Sequence, residues 1–139
     1  MRVNTLVLDS FAILAFLRGE PGGDAVKTWL QRAQAGRGRL ALSTINLGEV
    51  LYIVERRHGL ARAAQVLAFL QAGPLALYEA TLPRVLAAAH PKARFPIALA
   101  DAFAAALAQE LGAPLLTGDL KFKALEGTLT IYRLTGASS

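Results

Sequence analysis

Four acids in this chain stand where an acid is costly: Asp9, Glu49, Asp101 and Asp119. Asp101 is the plainest of them. From Ile97 to Leu107 every other residue is Ala, Leu, Ile or Phe. A helix apolar on all sides is buried on all sides, so a carboxylate there is either an expensive defect or part of a site. Carboxylates crowded together under little solvent repel, and one takes up a proton unless a cation neutralises them. The chain has no cysteine and no well-placed histidine, so its donors are hard oxygens, which select Mg²⁺ or Mn²⁺. Such ions activate water and steady the charge on a phosphodiester undergoing in-line displacement. On this reading Asp9, Asp101 and Asp119 are metal ligands, and Glu49 orients a ligand or the attacking water. Ser10 and Thr117 would supply supporting hydrogen bonds.

The elements that must position these acids can be read from the same residues. IALADAFAAALAQELGAPLLTGD, Ile97 to Asp119, reads as a helix, a tight turn and a short strand. Gly112 suits the position after a helix end, and Pro114 blocks continuation. From Asp101 to Leu111 a helix rises roughly 15 Å at 1.5 Å per residue. From Pro114 to Asp119 a strand returns about 16 Å at 3.3 Å per residue. Asp101 and Asp119 are therefore expected close together, at the carboxyl edge of a sheet.

The rest of the chain supplies the other strands. VNTLVL, Val3 to Leu8, is a first strand ending at Asp9, with Ser10 as cap for a helix over FAILAFLRG. An amphipathic helix near Asp24 to Ala35 carries Val26, Trp29, Leu30 and Ala33. Leu40 to Leu42 is a second strand, and Ser43 or Thr44 caps the helix INLGEVLYIVERR, which bears Glu49 and stops at Gly59. Leu60 to Ala72 is a further helix and Leu75 to Tyr78 a third strand. Thr81 starts a helix expected to reach His90 and end before Pro91. After the fourth strand Asp119 caps a short turn, LKFKAL, before a last strand from Thr128 to Leu134 and a frayed tail, GASS. Strands alternating with helices predict a parallel sheet covered on both faces. Ligands of such sheets bind beyond the carboxyl ends of the strands, where all four acids converge.

Composition sets the bounds. A chain of 139 residues, 54% hydrophobic and 18% charged, is one domain with a real core, 1–139, and not a disordered one. Absence of cysteine excludes disulfides, zinc–thiolate sites and thiol nucleophiles. Asp9 interrupts the early apolar run and no segment reaches about 18 apolar residues, so neither signal peptide nor membrane span is expected, and the location is read as cytoplasmic. The net charge is +5; with four acids gathered in one site, six remain against fifteen Lys and Arg. Basic surroundings about an acidic pocket suit a polyanion whose phosphate meets a metal, although Arg-rich surface helices alone would give the same balance. Taken singly, Asp9 and Asp119 could simply be helix caps after strands, and Glu49 a solvated surface acid; four such placements on one edge favour a site. His58 and His90 close helices, where a cation suits the dipole, and Trp29 is core or interface. No GxxxxGK[ST] or GxGxxG occurs, which leaves nucleotide hydrolysis and dinucleotide binding without support.

VLDSFAIL, STINLGEVLY, LADAFAAALAQELGAPLLTGD and the following LKF resemble the successive motifs of PIN-domain ribonucleases, in particular VapC-type toxins. The resemblance spans essentially the whole chain. It implies a three-layer α/β/α sandwich around a parallel sheet of four to five strands, and Mg²⁺- or Mn²⁺-dependent RNA cleavage. It also implies a homodimer and inhibition by a VapB-like antitoxin. Asp9, Glu49, Asp101 and Asp119 match the acidic quartet of that family, and Thr117 matches the hydroxyl before the last acid. Two positions depart from it. Phe11 stands where many relatives carry Asn, and Lys121 and Lys123 follow the last acid where some carry another acid, which weakens the resemblance at a second metal. A PIN-like module that binds RNA without cutting it would be marked by missing acids, and none is missing. A phosphoacceptor signalling domain also gathers acids at strand ends, yet has no role for Asp101.

Overall fold

The computed structural model describes residues 4–134. Its strands are β1 (Thr5–Leu8), β2 (Arg39–Ser43), β3 (Leu75–Tyr78), β4 (Leu115–Thr117) and β5 (Ile131–Arg133). They form one sheet in the order β3-β2-β1-β4-β5, parallel at every pairing. Because strand side chains alternate, each central strand feeds two cores. Leu6, Leu8, Leu40, Leu42 and Leu116 point to one face; Val7, Ala41 and Leu115 point to the other. The helices α1 (Ser10–Leu17), α2 (Gly23–Gln34), α3 (Thr44–His58) and α4 (Leu60–Ala72) cover the first face through Ile13, Val26, Val50 and Leu70. The helices α5 (Leu82–Arg94) and α6 (Leu99–Leu111) cover the second, where Ala88, Phe103 and Leu107 pack. The expected three-layer α/β/α sandwich with a parallel sheet is thus observed, with five strands.

The sheet winds outward in both directions from β1, which lies between β2 and β4. The connection from β1 to β2 runs over one face and that from β3 to β4 over the other, leaving a crevice at the carboxyl ends of β1 and β4. Helix α6 reaches that crevice with its first turn. Its residues Ala100 to Ala108 are all buried, whereas Leu99, at 54% exposure, opens to solvent. Gly112 closes the helix in the left-handed conformation, φ 59°, as the sequence required.

Several boundaries differ from the sequence reading. Helix α5 continues through Pro91 to Arg94, so His90 lies inside a helix instead of closing one. A proline removes its own donor and crowds the preceding turn, but the turn after it keeps its bonds, as Phe95 N–H to Pro91 O at 2.9 Å shows. The cap of α1 is Asp9, with Ser10 its first residue. The last strand shortens to Ile131–Arg133 because Thr128 is tied to the carbonyl of Leu125 through both its N–H and its hydroxyl, each at 2.9 Å. Val3 and the GASS tail lie outside the described residues. Among the described residues no helix is long and apolar enough to cross a membrane.

Candidate functional site

Asp9 follows β1 directly and is 2% exposed. Both of its oxygens are engaged: Oδ1 accepts from Ala12 N–H at 2.8 Å, which caps α1, and Oδ2 accepts the hydroxyl of Thr117. Thr117 ends β4, the strand beside β1, and is fully buried. Its Oγ1 also accepts from Asp119 N–H at 2.9 Å, so one hydroxyl fastens the two acid-bearing turns together. Asp119 begins the 3₁₀ turn Leu120–Leu125, its Oδ1 accepting from Lys121 N–H at 2.9 Å. Arg133, at the end of β5, donates from Nη1 to the carbonyl of Asp119 at 2.8 Å.

Asp101 enters from the first turn of α6. Its Oδ2 accepts from Ala98 N–H at 3.0 Å, the carboxylate half of a capping box whose other half alanine cannot supply. Glu49 sits half-buried on α3, close enough for its charge to raise the pKa of Asp101. Burial pushes the Asp9 carboxyl up from its ordinary 3.8 to about 7; the bonds from Thr117 and Ala12 oppose this, and the charges of Asp101 and Asp119 add to it. Asp101 is raised as well, first by burial and then by Asp119 and Glu49, against the bond from Ala98 N–H and the charge of Lys121. All four predicted acids therefore share one electrostatic environment at the crevice.

Their grouping is loose. Among the described residues no three acids or histidines stand ready-grouped around a single ion position. Each Asp instead secures the start of a different helix or turn. Among the described residues the cluster also lacks an ion-pair partner. The salt bridges among the described residues are Arg18–Glu20, Arg84–Glu110 and Arg133–Glu126, none of which involves the four acids. Desolvated hard-oxygen donors with no paired cation suit a hard divalent ion in their chemistry.

Ser10 does not contact an acid. Its hydroxyl donates to Asn46 O at 3.3 Å and accepts from Asn46 Nδ2 at 3.0 Å. Asn46, which sequence reasoning passed over, is fully buried and donates also to Ala100 O at 3.2 Å. That carbonyl requires a donor, so the amide orientation is fixed. Asn46 thereby ties α3 to the residues immediately after Asp9 and before Asp101, while its Oδ1 is buried without a partner. The available signal was a polar residue beside Leu47 and Val50 on the apolar side of its helix. Arg133 was also missed; only its place in the last strand marked it. His58 and Trp29 take no part: His58 is an exposed helix end and Trp29 packs beneath Arg32.

Fold and site define a class, the doubly wound α/β proteins with an acidic cluster at the carboxyl edge. A family model, PIN domain, matches residues 6–127, and the chain belongs to that family. Solved structures agree at the level of fold. The DNA-bound VapBC of Salmonella typhimurium superposes with a TM-score of 0.73 at 18% identity, covering 96% of this chain and 100% of that one. VapBC2 of Rickettsia felis, bound to a DNA fragment from its promoter, gives 0.72 at 17%, covering 94% and 99%. VapC20 of Mycobacterium tuberculosis, a sarcin–ricin loop cleaving toxin, gives 0.64 at 21%, covering 86% and 94%. No curated protein sequence matches significantly.

Proposed function

We propose that this chain is a metal-dependent endoribonuclease, the toxin of a VapBC-type pair, with 1–139 forming one PIN domain. The observation that carries the reading is the convergence of four acids, with no ion-pair partner among the described residues, at the crevice beyond the carboxyl ends of β1 and β4. When bound, Mg²⁺ or Mn²⁺ supplies Lewis-acid stabilisation for the charge that builds on a phosphodiester, and promotes ionisation of water. Asp9, Asp101 and Asp119 would hold the cation. Thr117 and the N–H groups of Ala12, Ala98 and Lys121 orient their carboxylates. Glu49, half-buried beside them, orients the attacking water or accepts its proton. Lys121 and Arg133 place positive charge at the rim, where neighbouring phosphates of an RNA would lie.

The partner reading rests on solved neighbours that are toxin–antitoxin complexes. A surface suited to an amphipathic, acidic antitoxin segment is the groove of about 650 Å³ floored by Leu14, Val54 and Phe69 and rimmed by Arg18, Arg57 and Arg62. For a homodimer, α5 exposes Leu82, Val85 and Leu86 at helical spacing along one face. Light scattering that returned a 14.7 kDa particle at every concentration would remove the dimer. A cytoplasmic location belongs with this reading.

The test is incubation with a panel of single-stranded and structured RNAs, with Mg²⁺ or Mn²⁺ and with a chelator. Cleavage that a chelator abolishes and added metal restores is expected. Cleavage that persists in chelator, or none by full-length protein freed of any antitoxin, would overturn the reading.

A further inference from the structure

Phe11 is the one position beside Asp9 where the chain departs from the resemblance, and the structure gives it an unusual setting. It occupies the first turn of α1, two residues after Asp9, and remains 43% exposed although it is a large apolar side chain. The ring rests on Gly118, the residue between Thr117 and Asp119. A β-carbon at Gly118 would come within 2.5 Å of Phe11 Cε1 and 3.0 Å of Cδ1. Only glycine allows that approach, so one edge of the ring is held against the β4 turn while the remainder faces solvent. The ring thus bridges the two turns that carry Asp9 and Asp119. Two cationic residues belong to the same turn: Lys121, whose charge reaches Asp101, and Arg133, bonded to the Asp119 carbonyl at 2.8 Å.

We propose that Phe11 is a nucleobase-stacking platform that seats one unpaired base of the substrate beside the phosphate held at the acids. The proposal rests on the nuclease reading above and adds to it how a single strand is gripped. Every base has a π-face, so such a platform binds unpaired nucleotides with little sequence preference. A base drawn out to stack on the ring would leave its phosphate over the acidic crevice, with Lys121 and Arg133 near the next one. A duplex, whose bases are already stacked, would gain nothing from the ring. The arrangement therefore favours single-stranded regions over paired ones.

The experiment compares wild type, Phe11→Ala and Phe11→Tyr. It measures cleavage of a single-stranded RNA with Mn²⁺, and binding of the same fluorescently labelled RNA in chelator. Each protein is also given a set of RNAs in which one abasic nucleotide is walked past the cut. Phe11→Ala is expected to raise KM and the RNA dissociation constant about tenfold with kcat within about twofold, and Phe11→Tyr to restore both. One abasic position should weaken wild type by a similar factor and cost Phe11→Ala nothing further. Melting points and Mn²⁺ affinity should match across the three proteins. Unchanged KM and RNA affinity in Phe11→Ala, or abasic losses that multiply with the mutation at every position, would overturn the platform and leave the nuclease standing. A loss confined to self-association or partner binding would assign Phe11 to a protein interface and likewise overturn it. Phe11-dependent RNA binding without cleavage by wild type would uphold the platform and remove the nuclease. RNA neither bound nor cut would end both.

Discussion

Helix α6 carries an acid near each end, and the two have opposite surroundings. Glu110, in the last turn, receives two bonds from the Arg84 guanidinium, Nε at 3.0 Å and Nη2 at 3.1 Å, and its pKa is lowered by that hydrogen-bonded pair. Asp101, in the first turn, is 8% exposed, has no ion-pair partner among the described residues, and has its pKa raised by burial. The helix dipole alone would order them the other way, since it favours an anion at the amino end and disfavours one at the carboxyl end. Desolvation and partners therefore outweigh the dipole here. Where the fold needs a charge settled, as in the staple between α5 and α6, it supplies a guanidinium. At the crevice it gathers four acids, and among the described residues none of their carboxylates is paired in a salt bridge.

The most severe way to break this contrast is Asp101→Asn, which is nearly isosteric and removes one unpaired charge. Cleavage is expected to fall by more than about a hundredfold, beyond what loss of a merely supporting group costs. Metal affinity should fall with it while the metal-free protein melts no lower than wild type, because a costly buried charge is gone. Wild-type-like cleavage on any substrate the parent cuts would contradict the assignment.

Asp9 sharpens the comparison through pH. Its folded pKa of about 7 lies above the ordinary 3.8, so between those values the folded state holds a proton the unfolded state has released. Its contribution to stability is therefore most favourable below about pH 4 and is lost as pH rises through about 7. Relative to wild type, metal-free Asp9→Asn should gain stability over that window, by up to roughly 4 kcal/mol. Saturating Mn²⁺ should flatten the wild-type dependence. Denaturant melts at a series of pH values measure this, and parallel profiles for the two proteins would show that Asp9 is not the titrating group.

Smaller effects are expected from the groups that orient the acids. Asn46→Ala should cost about 1–3 kcal/mol, because it leaves the buried Ala100 carbonyl and Ser10 hydroxyl short of a donor. It should also weaken metal binding roughly tenfold. A core change such as Leu70→Ala should destabilise without that loss of affinity; equal affinities in the two variants would reduce Asn46 to a packing residue. Thr117→Val should weaken Mn²⁺ binding by about the same factor and push Asp9 higher still, whereas Thr117→Ser should retain both. The least effect belongs to the other end of α6: Glu110→Gln should shift melting by no more than about 2 °C, as exposed pairs contribute little. It should leave cleavage unaltered.

The acids and their convergence were legible because an isolated Asp in IALADAFAAALA conflicts with everything around it, and because the helix and strand lengths between Asp101 and Asp119 match. Strand order was expected only as parallel, since nothing local records that β1 lies between β2 and β4. The extent of α5 was misjudged because Pro91 reads as a stop, although a proline disturbs only the turn before it. Ser10 looked like a cap because it is a good capping residue, but Asp9 already stood one place earlier with the stronger acceptor. Asn46 escaped notice because an asparagine within STINLGEV looks like a solvated polar residue. Its partners lie 36 and 54 residues away, on elements whose packing only the assembled fold reveals.

On the proposed reading the four acids at the crevice bind a cation that the chain itself does not supply. Calorimetric titration of Mn²⁺ into metal-free wild type near pH 8, with melting followed in parallel, tests it directly. Saturable binding that raises the melting midpoint as the carboxylates are neutralised, and that is lost in Asp101→Asn, is expected. A midpoint that does not move across millimolar Mn²⁺ or Mg²⁺, with no saturable heat, would contradict it.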